Sequence, residues 1–124
     1  MTVRLHHGIP VLRSFDETLA RSFYVDALGF TVDWEHRFEP ELPLYMQVSR
    51  DDLVLHLSEH FGDGSPNGVV WIAVDDVRAL YDEIRKVPFE LLHQRPGFEK
   101  KGPGGPGFSL GDPFHNMLRF AEPT

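Results

Sequence analysis

Apolar and polar positions along this 124-residue chain switch between a period of two and a period near four, and the order of switches runs twice. In residues 4–12, Leu5, Ile9 and Val11 alternate as in a strand, with Pro10 marking an edge or irregularity. Ser14 followed by Glu17 is a capping-box pattern that starts a helix. Phe15, Leu19, Phe23 and Leu28 give that helix one apolar face, and Gly29 is a plausible residue to end it. Residues 30–38 read as a strand, and Pro40 and Pro43 break it. Residues 45–48 and 53–57 then read as a hairpin about Arg50-Asp51-Asp52.

The second half repeats the order β-α-β-β-β after a Gly/Pro/Asn loop at 62–67. Residues 69–74 form an apolar run typical of a buried strand. Asp75 or Asp76 caps a helix whose Val77, Leu80, Tyr81 and Ile84 share a face, and Pro88 stops it. Residues 89–93 read as a strand and residues 95–107 as a Gly/Pro-rich loop. The closing hairpin alternates Phe108 with Leu110 and Leu118 with Phe120. Its turn combines Pro113, which presets φ, with Asp112, whose side chain can bond back to the turn backbone. The expected class is α+β: one domain, 1–124, of two tandem βαβββ modules at about 3–61 and 68–122. Side by side, two such units form a curved mixed sheet with helices outside and a cleft inside, where the inward strand positions become candidate ligand contacts.

Composition narrows the chemistry. The absence of Cys excludes disulfides, thiolate metal sites and Cys nucleophiles. A formal charge of −7 argues against a nucleic-acid partner and mildly favours a cationic ligand. No apolar run reaches the length of a membrane span, so neither membrane nor nucleic acid is expected as a partner and a cytoplasmic location is the default. No Ser lies in a G-x-S-x-G context. The glycines of residues 102–107 alternate with prolines, whereas a phosphate cradle needs free N–H groups leading into a helix. His56 and His60, a zinc pair on a helix, would stand about 13 Å apart in a strand.

The runs Ile9-Pro10-Val11-Leu12-Arg13, Ala20-Arg21-Ser22-Phe23-Tyr24 and Leu28-Gly29-Phe30 resemble the first module of the vicinal-oxygen-chelate superfamily. Asp112-Pro113-Phe114-His115-Asn116 with Leu118-Arg119-Phe120 resembles its closing motif. That superfamily includes glyoxalase I, extradiol dioxygenases, fosfomycin-resistance enzymes and bleomycin-resistance proteins. The resemblance implies a homodimer whose clefts are built from both subunits. Metal-dependent members supply one His or Glu from each of four strands. The matching positions here hold His6 or His7, His56, Val69 and Arg119, and an arginine cannot ligate a metal.

The bleomycin-resistance branch is the most similar, and it implies a metal-free protein that sequesters a cationic aromatic ligand, such as a bleomycin-type glycopeptide, without transforming it. The candidate ligand-binding residues are Trp34, Phe38, Glu39, His56, Trp71 and Phe98. Asp33, Glu35 and Glu41 add to the acidity of the second strand and its loop. Trp34 and Trp71 could equally serve as core residues. In that branch a Trp often stacks on the drug from the loop before the last hairpin; here the position holds glycine near Gly104. The alternative is a glyoxalase-like lyase or dioxygenase using one divalent ion on His6 or His7, His56 and Glu59.

Overall fold

The computed structural model describes residues 2–123. Module one comprises β1 (Val11–Arg13), α1 (Glu17–Ala20, widening into a π-helical stretch over Arg21–Ala27), β2 (Thr31–His36), β3 (Tyr45–Arg50) and β4 (Leu53–Ser58). Module two comprises β5 (Val69–Ala73), α2 (Val77–Arg85), α3 (Phe89–Leu92), β6 (Glu99–Gly102), β7 (Gly105–Gly111) and β8 (Met117–Ala121). The strands pair as two four-stranded mixed sheets in the equivalent orders β1-β4-β3-β2 and β5-β8-β7-β6. In each, the first strand runs parallel to the fourth and the rest are antiparallel. This is the α+β arrangement that the repeated pattern implies.

One face of each sheet is covered. Met46, Val48, Leu55 and Leu57 of the first sheet and Phe108, Leu110, Leu118 and Phe120 of the second are buried with Phe23, Tyr24 and Leu28 of the first helix and Val77 and Ile84 of α2. The helical spacing is offset from the one expected: Ala20, Phe23, Tyr24 and Ala27 make the buried stripe, while Phe15 and Leu19 are exposed. The cap is offset too. Asp16, not Ser14, accepts the Leu19 N–H at 3.0 Å. Gly29 ends the helix at φ 77°, a conformation costly for a residue with a Cβ.

Three expected elements take other forms. Residues 2–10 form no strand, and β1 pairs with β4 only over Val11–Arg13. Residues 89–93 are helical: the Pro88 carbonyl accepts from Leu91 and Leu92 N–H, and His93, at φ 59°, closes the turn. Residues 95–107 contain β6 and the start of β7. The glycines of residues 102–107 are close-packing positions: a Cβ on Gly107, for example, would stand 2.0 Å from the Phe120 carbonyl oxygen.

The closing turn behaves as its residues imply. Asp112 Oδ1 accepts from the Phe114 and Asn116 N–H groups, both at 2.8 Å. Its Oδ2 accepts from the Tyr24 hydroxyl at 2.6 Å and from Asn116 Nδ2 at 2.8 Å. Asn116 Nδ2 also reaches the Arg13 carbonyl at 2.9 Å, so one buried turn ties together both modules.

Candidate ligand-binding site

The outward faces of the two sheets carry the candidate chemistry. On the first, the period-two alternation of β3 turns Met46 and Val48 inward and Tyr45, Gln47 and Ser49 outward. A bulge in β2 then decides where Trp34 points. Val32 pairs with Val48, but Trp34 pairs with Gln47, so one residue, Asp33, is left over between them. Without the bulge Trp34 would share the inward side of Val32. With it, Trp34 lies outward, stacked on Tyr45 at 5.9 Å and 7° and edge-on to His56 at 5.2 Å.

A chain of hydrogen bonds holds this face. Gln47 Nε2 donates to Asp33 Oδ2 at 3.1 Å, which turns the Gln47 carbonyl oxygen toward His56 Nε2 at 2.9 Å. His56 Nε2 must therefore carry the proton, and Nδ1 accepts from the Tyr45 hydroxyl at 2.7 Å. Burial pushes the His56 pKa below its ordinary value, favouring this neutral form. The Ser49 hydroxyl and the Gln47 amide, both bonded to Asp33, pull that carboxyl's pKa down.

Beside this network lies a cavity of about 360 Å³ lined by Trp34, His36, Phe38, Tyr45, His60 and Asp63. Phe38 stands edge-on to His36 at 4.6 Å and to His60 at 6.1 Å. Among the described residues the buried Nε2 of His60 has no hydrogen-bond partner. A planar ligand group could stack on these rings.

On the second sheet, Trp71 of β5 and Arg119 of β8 are register partners on the outward face. The guanidinium carbon lies 5.7 Å from the indole centroid. With Ser109, Glu99 and the backbone of residues 102–105 they line a second cavity of about 430 Å³. Gly104 fits against the indole edge so closely that a Cβ there would stand 2.9 Å from Trp71 Cζ3.

These placements correct several expectations. The run containing Trp71 is not buried throughout: it alternates, leaving Val69 51% and Trp71 56% exposed, and Trp34 is 42% exposed. Neither tryptophan is a core residue. Phe98 lies on the other side of the second sheet, packed on Tyr81 at 5.2 Å and under Arg78 at 4.9 Å. Glu39 is exposed in the turn after β2, where its carbonyl accepts the Leu42 N–H, and it lines neither cavity. Glu35 points away from Trp34 and pairs with Arg21, so the carboxylates beside the Trp34 face are Asp33 and Asp63.

The residues present do not fit a divalent ion. Both His56 nitrogens are engaged, Val69 offers no donor and Arg119 is a cation. Glu59 accepts from the Leu44 N–H at 3.2 Å, and His6 and His7 are exposed in the segment before β1. Among the described residues His6, His7, His56 and Glu59 do not come together as a metal-holding group.

Sequence reasoning passed over Tyr45, Gln47, His36, His60 and Asp63 as site residues. The outward period of Tyr45-x-Gln47-x-Ser49 was the available signal for two of them.

Tandem βαβββ modules, each with an open sheet face, define a vicinal-oxygen-chelate protein. The family model described as "Glyoxalase superfamily protein" matches residues 1–124, and the chain belongs to that superfamily. Among solved structures it is similar to the bleomycin-binding protein of bleomycin-producing Streptomyces verticillus, complexed with copper(II)-bleomycin. That likeness has 28% identity, covers 99% of this chain and 100% of that one, and has a TM-score of 0.71. Two further structures share the fold. The bleomycin resistance determinant encoded on transposon Tn5 is 23% identical, with 96% and 98% covered and a TM-score of 0.72. An antibiotic-binding protein from Streptomyces sp. CB03234 is 21% identical, with 99% and 100% covered and a TM-score of 0.70. Comparison with curated proteins finds no match. Among the described residues no helix is long and apolar enough to cross a membrane.

Proposed function

We propose that this protein sequesters a planar, cationic small molecule of antibiotic type, such as a bleomycin-type glycopeptide, without transforming it. In this reading residues 1–124 act as one domain and pair as a homodimer, each cleft joining the Trp34 face of one copy to the Trp71 face of the other. The observation that carries the proposal is the exposure of two indoles, one on each open sheet face, lining separate cavities within the single chain. Large aromatic surface left uncovered in this way marks a binding face. Exposed Val3, Leu5 and Phe38 add apolar surface that a second copy or a ligand would cover. Asp33 and Asp63 supply negative charge for the ligand's amines, and the likeness to bleomycin-binding protein supports the ligand class.

Titration of the protein with metal-free bleomycin tests this. Tryptophan fluorescence should be quenched at saturation, and mass spectrometry should return the ligand unaltered. Trp71→Ala should weaken binding about 30-fold, the worth of a buried aromatic anchor of about 2 kcal/mol. Sedimentation velocity should still show a dimer for this variant. Unchanged affinity in an intact dimer, or an altered ligand, would refute the proposal.

A further inference from the structure

We infer that Arg119 reads an anionic oxygen on the planar group that stacks on Trp71, so that the ligand presents an acidic end to module two. This rests on the reading of the outward faces as a cleft and names the chemistry that one of them selects.

Arg119 is half-buried and lines the same cavity as Trp71. Its one hydrogen bond among the described residues is a long one, from Nη1 to Ser109 Oγ at 3.4 Å. A guanidinium has five N–H donors in a planar fork, so most of this fork is free to meet a ligand. The chain carries 19 acidic residues against 12 Lys and Arg, and Arg21, Arg37, Arg50 and Arg78 each pair with a carboxylate. Among the described residues Arg119 makes no such pair, nor do Arg4, Arg13, Arg85 and Arg95, and of these five only Arg119 lines the cavity of Trp71. Glu99 lines the same cavity, but its carboxylate lies against Gly102.

A ring stacked on Trp71 would cover part of the guanidinium and strip its water. That costs free energy unless the ring itself brings an acceptor, and a charged acceptor offsets most. A carboxylate or sulfonate at the ring edge meets this requirement bidentately. A cation placed there would face Arg119 directly and be repelled. The amines of the ligand are thereby directed to the opposite face, where Asp33 and Asp63 stand beside Trp34. The two faces of the cleft differ in polarity, and among antibiotic-type ligands the Trp71 face favours those whose planar group carries an acidic edge over wholly cationic ones such as bleomycin.

Two fluorescent probes of matched ring structure test the assignment: 8-anilino-1-naphthalenesulfonate and its neutral counterpart N-phenyl-1-naphthylamine. The wild-type protein should bind the sulfonate about tenfold more tightly than the neutral probe, the scale of one charge-assisted contact. Arg119→Met should erase that preference and Arg119→Lys should keep part of it, with thermal melts confirming that both variants fold. Trp71→Ala should weaken both probes. Equal binding of the two probes by wild type, or a preference that persists in Arg119→Met, would overturn the role of Arg119 and leave the cleft standing. Failure of both probes to bind wild type would overturn the cleft reading as well.

Discussion

Tyr45 donates its hydroxyl hydrogen to Nδ1 of His56 across 2.7 Å, and the Gln47 carbonyl oxygen holds the opposite nitrogen as Nε2–H. A second proton on the ring would make Nδ1 a donor and force the Tyr45 hydroxyl to turn and accept, and burial already disfavours the charged ring. The folded-state pKa of His56 is therefore below the ordinary 6.5, while the unfolded chain titrates at that value. Between the two values the unfolded state binds more protons, so this group's contribution to stability rises with pH and levels off above about 6.5. Thermal midpoints measured from pH 4.5 to 8 should show that rise. The difference between wild type and His56→Gln should narrow toward acid pH, and a pH-independent difference would contradict the assigned tautomer.

The Asp112 turn is a stability centre distant from the cleft. Asp112→Ala would leave the buried Tyr24 hydroxyl and two turn N–H groups without their acceptor. We expect a loss of about 3–5 kcal/mol. Tyr24→Phe removes one of four bonds to the carboxylate and should cost about 1–2 kcal/mol. Urea denaturation gives both values, and near-equal losses would show that the turn bonds carry little.

Gly107 tests the reassignment of the glycine-rich segment as strand. Alanine there forces β7 away from the Phe120 carbonyl, with an expected loss of about 3 kcal/mol or more in the same urea experiment. A neutral outcome would mean that the segment is the open loop its composition suggests.

Local sequence rules reached the features that depend on local chemistry. The repeated element order, the Asp76 cap, the Gly29 stop and the Asp112-Pro113 turn all follow from residues close in sequence. What they could not reach depends on partners distant along the chain. The exception is Phe89-Glu90-Leu91-Leu92, which reads as a strand by composition although the adjacent Pro88 starts a helical turn there. Glycines 102–107 read as a loop because strand-on-strand approach leaves no local mark. Trp34 faces outward only because Asp33 is bulged, and a bulge is a property of two paired strands. Phe98 could be assigned to the cleft from the sequence because nothing local shows that Tyr81 and Arg78 of α2 claim it.

The most direct test of the proposed cleft is subunit mixing. Trp34→Ala and Trp71→Ala homodimers should each bind metal-free bleomycin weakly. When the two variants are unfolded together and refolded, a mixed dimer has both substitutions in one cleft and neither in the other. Isothermal titration of the isolated mixed dimer should then recover wild-type affinity at one site per dimer. If the mixed dimer binds no more tightly than its parents, the two tryptophans do not meet across copies and the account of the cleft is wrong.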